Sequence, residues 1–302
     1  MLFHKKLIAD LTAKQEHLTH TLAATAEMLS SRNADHSQEP TLENPVSQLV
    51  TKAQLDSDIY KYWCEKIHET PRYHRKQWEY VYVLQALQQL NKLREGSRGL
   101  GFGVGTEPLP ALMASMGCTV VATDMAPELA SDIGWTQSNE YAGGLEKLNN
   151  RGICDPEIFQ QRVTFQVADM KNLSTSFRDF DYVWSSCALE HLGSIELGLK
   201  FIEDSLLCLQ SGGVAVHTTE YNLSSNDETI DHEGTVLFRK KDIEGLIAKL
   251  TAQGHHITMN FNEGGHVLDY YIDIPPYTAD THLKLLLQKY ITTSLGLIVT
   301  KG

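Results

Sequence analysis

Three alternating glycines and two aspartates carry the chemistry that this sequence advertises. Gly101, Gly103 and Gly105 sit in the run LGFGVGTEP. Glycine permits positive φ and lets a ligand approach the backbone closely. Asp124 follows the apolar run Thr119–Ala122. An acid closing a second strand can accept both hydroxyl hydrogens of a ribose. Asp169 and Met170 follow the run Val163–Val167. A carboxylate there can accept from the exocyclic amine of an adenine while apolar neighbours sandwich the ring. Ser185 ends a further run, Asp181–Ser185, and Ser186 follows it. In a doubly wound sheet, ligands bind outside the carboxyl ends of the strands, at the topological switch point. Residues of these types at four strand ends therefore suit a nucleoside.

The elements that would position them alternate. A strand ends at the glycine turn, and a helix follows with Leu109, Leu112, Met113 and Met116 on one face, closed by Gly117. Strands are expected at 119–122, 163–167, 181–185, 214–219, 256–261 and 295–299. Helices are expected at 195–209 and 240–253, and two more around Gly152–Asp155. Strands alternating with helices imply βαβ units and a mainly parallel sheet. Upstream, apolar spacing predicts helices over 1–30, over Pro45–Glu69 and from Thr70 or Pro71 to about Leu93; Ser30–Asn44 reads as a polar linker. The cluster Arg72, Tyr73, His74, Arg75, Lys76 and Trp78 is placed to close over a ligand or to begin a solvated helix. Trp135, Thr136, Gln137 and Asn139 are further candidates for lining the site, with core packing the blander use of Trp135.

Composition narrows the partners. The chain has 302 residues, a formal net charge of −12 and 42% hydrophobic residues. A nucleic-acid binder needs a basic face, and the only dense basic run is 72–76, so no nucleic acid is expected. The five cysteines lack metal or redox spacing and read as free thiols of a reducing cytoplasm. The polar N-terminal run is not a signal peptide, and no apolar run approaches the ~18 residues of a membrane span.

The runs LGFGVGTEP, VVATD, VADM, FDYVWSSCALEHL and LQSGGVAVHTTE, in that order, resemble the class I S-adenosylmethionine-dependent methyltransferases. The resemblance covers residues 95–302. Longer runs, SSCALEHLGSIELGL, HTTEYNLSSND and IDIPPY, look similar to a bacterial subgroup often associated with glycan or surface-polysaccharide genes. It implies a Rossmann-like, doubly wound, mainly parallel seven-stranded sheet over 95–302, with residues 1–94 as a helical extension for dimerisation or as a lid. It also implies S-adenosyl-L-methionine as cofactor. Gly101, Gly103 and Gly105 would lie against its methionine and ribose. Asp124 would take the ribose hydroxyls, and Met125 would pack on the adenine. Asp169 would take the adenine amine beside Met170, and Ser185 and Ser186 would lie near the sulfonium. The family usually has an acid two residues before its first motif glycine. Here that position is Gly99, and Glu107 is the substitute candidate.

The acceptor implied is a small polar molecule, with a hydroxyl of a sugar or nucleotide-sugar leading. Candidate bases are His191, His217, Glu220 and His232. For His217 a satisfied core histidine is the competing reading, and for His191 a helix-start histidine bonded to backbone. Glu220, Asp227, Asp231, His232 and Glu233 form an acidic cluster read as polar loop, and no metal is assigned. Tyr270, Tyr271, Asp273, Pro275, Pro276 and Tyr277 suit either a sugar site or a packed loop. Two other readings stay open: a non-catalytic, dimerising methyltransferase-like protein, and an NAD(P)-dependent oxidoreductase.

Overall fold

The computed structural model describes residues 38–127, 141, 143–278 and 280–302, together with Thr12, Gln15 and Thr19. Those three are helical. The rest of the helix expected over 1–30, and Trp135, Thr136, Gln137 and Asn139, lie outside the described residues.

Strands β2 (Arg98–Phe102), β3 (Thr119–Asp124), β4 (Val163–Val167), β5 (Phe180–Ser186) and β6 (Leu209–Asn222) form the parallel part of the sheet, in the order β4-β3-β2-β5-β6. The chain runs outward from β2 through β3 to β4. It then crosses back to place β5 on the other side of β2. The switch point therefore lies between β2 and β5, where a doubly wound sheet opens a crevice.

Beyond β6 the direction reverses. β12 (Tyr290–Thr300) runs antiparallel to β6, with Ser294 opposite Glu220. β11 (Lys284–Leu287) and β10 (Ile272–Asp273) extend that edge. Two short strands complete it. β1 (Ser47–Leu49) pairs with β12 and with β9 (Met259–Asn260). The sheet thus has ten strands among the described residues rather than the seven expected. A separate hairpin joins β7 (Asp231–His232) to β8 (Thr235–Val236).

Helices α1 (Lys52–Asp56), α2 (Asp58–Lys66) and α3 (Arg75–Gln89) precede the parallel strands. α4 (Leu109–Ser115), α5 (Pro156–Arg162), α6 (Ile195–Leu207) and α7 (Lys240–Ala252) follow or connect them. Strand residues alternate between the two faces. Tyr182, Trp184, Val214, Val216 and Ile298 join α3 and α4 in one core. Leu100, Phe102, Val183, Ala215, Leu295 and Leu297 join α6 and α7 in the other.

Three expectations upstream and downstream are corrected. Residues 45–69 are not one helix: Ser47–Leu49 is drawn into the sheet as β1, and Ser47 Oγ accepts from the Ile298 N–H at 2.9 Å. The helix expected from residue 70 begins at Arg75, because residues 73–75 pair with His282. There the His282 N–H donates to the Tyr73 carbonyl at 2.7 Å, and the Arg75 N–H donates to the His282 carbonyl at 3.0 Å. The strand expected over 256–261 contracts to Met259–Asn260, and His256 instead bridges Thr300.

Candidate active site

The glycine turn does two jobs on two faces of β2. Gly99 stands opposite Tyr182, and Gly101 opposite Trp184. A Cβ on Gly99 would meet the Tyr182 ring at 2.4 Å, and one on Gly101 would meet the Trp184 ring at 2.3 Å. Both glycines make room for aromatic rings of the neighbouring strand. Gly103, past the strand, has φ +59, and its Cβ would approach that of Ala188 at 2.7 Å and Met170 Sδ at 3.5 Å. Only a residue without a side chain leaves that space open.

Gly103, Asp124, Asp169, Met170, Ala188 and His191 line one cavity of about 590 Å³, a size that suits a small-molecule ligand. Met125, Gly193, Leu197 and Glu233 complete much of its wall. Asp124 is 3% exposed. Its Oδ2 accepts from the Gly105 N–H at 3.0 Å and its Oδ1 from the Met125 N–H at 2.8 Å. The turn is tied to β3 as well, because the Val104 N–H donates to the Thr123 carbonyl at 3.1 Å and the Thr123 hydroxyl to the Gly101 carbonyl at 2.7 Å. Asp169 is exposed, and its carboxylate accepts from the Lys171 N–H at 2.9 Å. Glu107 is buried beneath the turn. Its Oε1 accepts from the Trp184 indole N–H at 2.6 Å. Burial raises its carboxyl well above the usual range, against the pull of that indole bond.

The candidate bases fall in different places. His191 lines the cavity, and its Nδ1 lies 3.0 Å from the Gly234 carbonyl. A carbonyl only accepts, so Nδ1 carries the hydrogen of the neutral ring and Nε2 its lone pair. His217 is fully buried in the core. Ser205 donates its hydroxyl to the Ile202 carbonyl at 2.7 Å, so His217 Nε2, 3.1 Å away, must donate to Ser205 Oγ. Nδ1 then accepts from the Ser185 hydroxyl at 2.8 Å. Burial takes the imidazole down to about 3. Ser185 thus faces the core rather than the cavity. His232 is exposed on the β7–β8 hairpin, where its Nδ1 accepts from the Gly234 N–H at 3.1 Å.

Glu220 belongs to a second polar group, beside the cavity at the carboxyl end of β5 and β6. Its Oε1 lies 2.6 Å from the Arg75 guanidinium and 3.3 Å from Lys76 Nζ, and its Oε2 accepts from the Thr292 hydroxyl at 3.0 Å. Burial alone would raise this carboxyl. Arg75, and then Lys76, outweigh burial and bring it to about 2. Glu79, wholly buried on α3, accepts from the hydroxyls of Thr218 at 3.0 Å and Ser186 at 3.4 Å, and from that of Ser294. Cys187 Sγ contacts Lys76 Nζ, and Glu190 Oε2 accepts from the Thr219 hydroxyl at 3.2 Å.

Glu79, Cys187 and Glu190 carried no sequence signal beyond an acid inside an apolar helix and two residues of LEHL-like context. Arg75 was legible as part of a basic cluster, yet the structure buries it. The acidic run 227–233 is not gathered with Glu220 into one group of potential ligands among the described residues.

Residues 100–217 match a family described as a methyltransferase domain. S-adenosyl-L-methionine is the cofactor of that domain. No curated protein matches the chain. Similar solved structures include a magnesium protoporphyrin IX methyltransferase from Synechocystis PCC 6803 with bound S-adenosylhomocysteine. It is 13% identical, covers 83% of this chain and 98% of its own, and gives a TM-score of 0.43. A phosphoethanolamine N-methyltransferase from Haemonchus contortus, in complex with S-adenosyl-L-methionine, is 18% identical over 66% of this chain and 41% of its own, with a TM-score of 0.38. A Galdieria sulphuraria protein assigned as a sarcosine dimethylglycine methyltransferase is 17% identical over 58% of this chain, with a TM-score of 0.36; the chain spans 52% of that protein's length.

The residues of this chain fit the cofactor. Gly103 leaves the space a Cβ would fill, and Asp124 is fixed by two backbone N–H groups at the end of β3. No helix among the described residues is long and apolar enough to cross a membrane.

Proposed function

We propose that the protein transfers the methyl group of S-adenosyl-L-methionine to a small polar acceptor, with a hydroxyl of a sugar or nucleotide-sugar as the leading candidate. The observation that carries this is Asp124, held rigidly beside Gly103 in the cavity at the switch point. On this reading Asp124 takes the ribose hydroxyls and Met125 packs on the base. Asp169 and Met170 hold the adenine. Gly101, Gly103, Gly105 and Ser186 surround the methionine portion, with Glu107 beneath it as partner for the amine.

The cofactor supplies an electrophilic methyl on a sulfonium. The protein's contribution is to hold the acceptor in line with the S–CH3 bond, which is worth about 7–11 kcal/mol when geometry is right. As the O–C bond forms, the S–C bond breaks, and the hydroxyl proton must leave. Of the candidate bases, His191 is the one that lines the cavity, and on this reading it takes that proton, worth ~10²–10⁴-fold. Residues 95–302 carry the catalytic machinery on this reading, with β1 and α3 of the preceding segment packed into the same sheet and core. A reducing cytoplasm is its proposed setting, since all five cysteines are unpaired.

Thermal shift tests the cofactor assignment. S-adenosylhomocysteine at ~100 times its dissociation constant is expected to stabilise the protein by about 2.7 kcal/mol, a shift of roughly 5–10 °C. Asp124→Ala should abolish that shift while leaving the circular dichroism unchanged. A shift with NADH or NADPH alone would overturn the reading.

A further inference from the structure

The polar group beside the cavity contains a constellation that methyl transfer, as drawn above, does not use. We propose that Cys187, Glu190 and Glu220 form a divalent-cation site, with Zn²⁺ the best chemical match, at the acceptor end of the cleft. The ion's role deepens the methyl-transfer reading and rests on it; its binding does not.

Donor atoms from all three residues lie within 4.8 Å of one another. They come from well-anchored positions. Cys187 and Glu190 lie on the turn that leaves β5, and Glu220 is near the end of β6. Cys187 has φ +47, an uncommon conformation for a residue with a side chain, held by its N–H donating to the Thr218 carbonyl at 3.1 Å. Glu220 is oriented by Arg75 and by the Thr292 hydroxyl, the kind of outer partner that fixes a metal-binding carboxylate.

A second observation points to a ligand. Glu190 is 1% exposed, and its Oε1 is a buried oxygen with no hydrogen-bond partner. A buried carboxylate oxygen left bare costs free energy, and a cation between it, Cys187 Sγ and Glu220 would satisfy it. In the structure as it stands, Lys76 is the cation at this spot, touching Cys187 and Glu220. Its side chain is 38% exposed, so it enters from solvent and can withdraw to it.

One thiolate with two carboxylates suits a borderline ion better than Mg²⁺ or Ca²⁺. Zn–S and Zn–O bonds of about 2.3 and 2.0–2.2 Å require the three donors to close by roughly an ångström. Binding forms the S–Zn bond as the thiol proton leaves to solvent. Three protein ligands leave one position for water or an acceptor oxygen, where the ion would act as a Lewis acid on a hydroxyl.

Co²⁺ titrated into the full-length protein, stripped with EDTA and dialysed, tests this without any acceptor. One equivalent is expected to bind and to produce a thiolate-to-cobalt charge-transfer absorption. Cys187→Ser should remove that absorption, Glu190→Gln should weaken binding at least tenfold, and Lys76→Met should tighten it. No charge-transfer band in the wild type, or a band that survives Cys187→Ser, would overturn the site. S-adenosylhomocysteine binding, measured on the same samples, reports the fold of each variant. It also separates the two ideas: cobalt bound without it strikes only the methyl-transfer reading.

Discussion

Glu107 and His217 are both buried and both titratable, and their surroundings give them opposite uses. Glu107 sits under the glycine turn with one oxygen on the Trp184 indole and burial raising its carboxyl. A cationic amine arriving above it would replace lost solvation with a charge-assisted bond worth ~1.5–3 kcal/mol. Glu107→Gln keeps an acceptor for the indole, so stability should hold while S-adenosylhomocysteine affinity falls roughly ten- to a hundredfold by calorimetry. Unchanged affinity would assign Glu107 to packing alone. His217 is neutral by design of its surroundings: one serine takes its Nε2 hydrogen and another donates to Nδ1. Its folded value of about 3 lies below the ordinary 6.5. The unfolded chain therefore binds the extra proton first, and the stabilisation present above 6.5 is lost as pH falls towards 3. The slope approaches about 1.4 kcal/mol per pH unit in that window. Unfolding temperatures measured from pH 7 to 4 should fall less steeply in His217→Gln than in the wild type.

Among the elements, one packing device recurs on the α3 face of the sheet. Gly99 lies under Tyr182, Gly101 under Trp184, and Gly296 under Tyr82, where a Cβ would meet the ring at 2.2 Å. This explains why the acid usual at position 99 is missing: its side chain would occupy the Tyr182 ring. Gly99→Asp should therefore cost ~1–3 kcal/mol or more in urea denaturation through overpacking, without restoring any ligand contact. Gly103→Ala should instead lower S-adenosylhomocysteine affinity, because its Cβ points at Ala188 on the cavity wall. The strands that end at or just before Asp124, Asp169 and Ser186 were readable from short apolar runs and their turns, since each is specified locally. β1 was not. Three residues become a strand only because Ser47 meets Ile298, 251 positions later, and local periodicity cannot report such a partner. The same holds for the polar group: Lys76, Cys187 and Glu220 sit far apart in the chain and converge only once α3 crosses the carboxyl edge. Asp124 was legible for the opposite reason. Its role follows from being the last residue of a strand, and that is a local property.

At the scale of the whole molecule, the buried ion pair between Arg75 and Glu220 joins the segment before β2 to the far half of the sheet. α3 is enclosed by its neighbours, with Arg75 and Glu79 buried alongside Trp78 and Val81. The energetics of such a pair are asymmetric. Desolvating both charges offsets much of their attraction, but removing one leaves the other buried and uncompensated, a loss of about 3–5 kcal/mol. Lys76, at 3.3 Å from Glu220, is too exposed to replace the guanidinium fully. Arg75→Met should therefore lower the urea midpoint strongly, whereas Arg75→Met with Glu220→Met should recover a large part of the loss. A positive coupling of this sign in the double-mutant cycle would place the pair as the joint between the two halves. Additive losses would mean that Arg75 acts through packing of its stem. The acid side follows from the same geometry. Glu220 titrates near 2 when folded, so its contribution is present above the ordinary carboxylate range and is lost as pH falls towards 2. Acid unfolding of the wild type should accordingly show two losses, the histidine's beginning below 6.5 and the carboxylate's below about 4.5, and Arg75→Met should remove only the second.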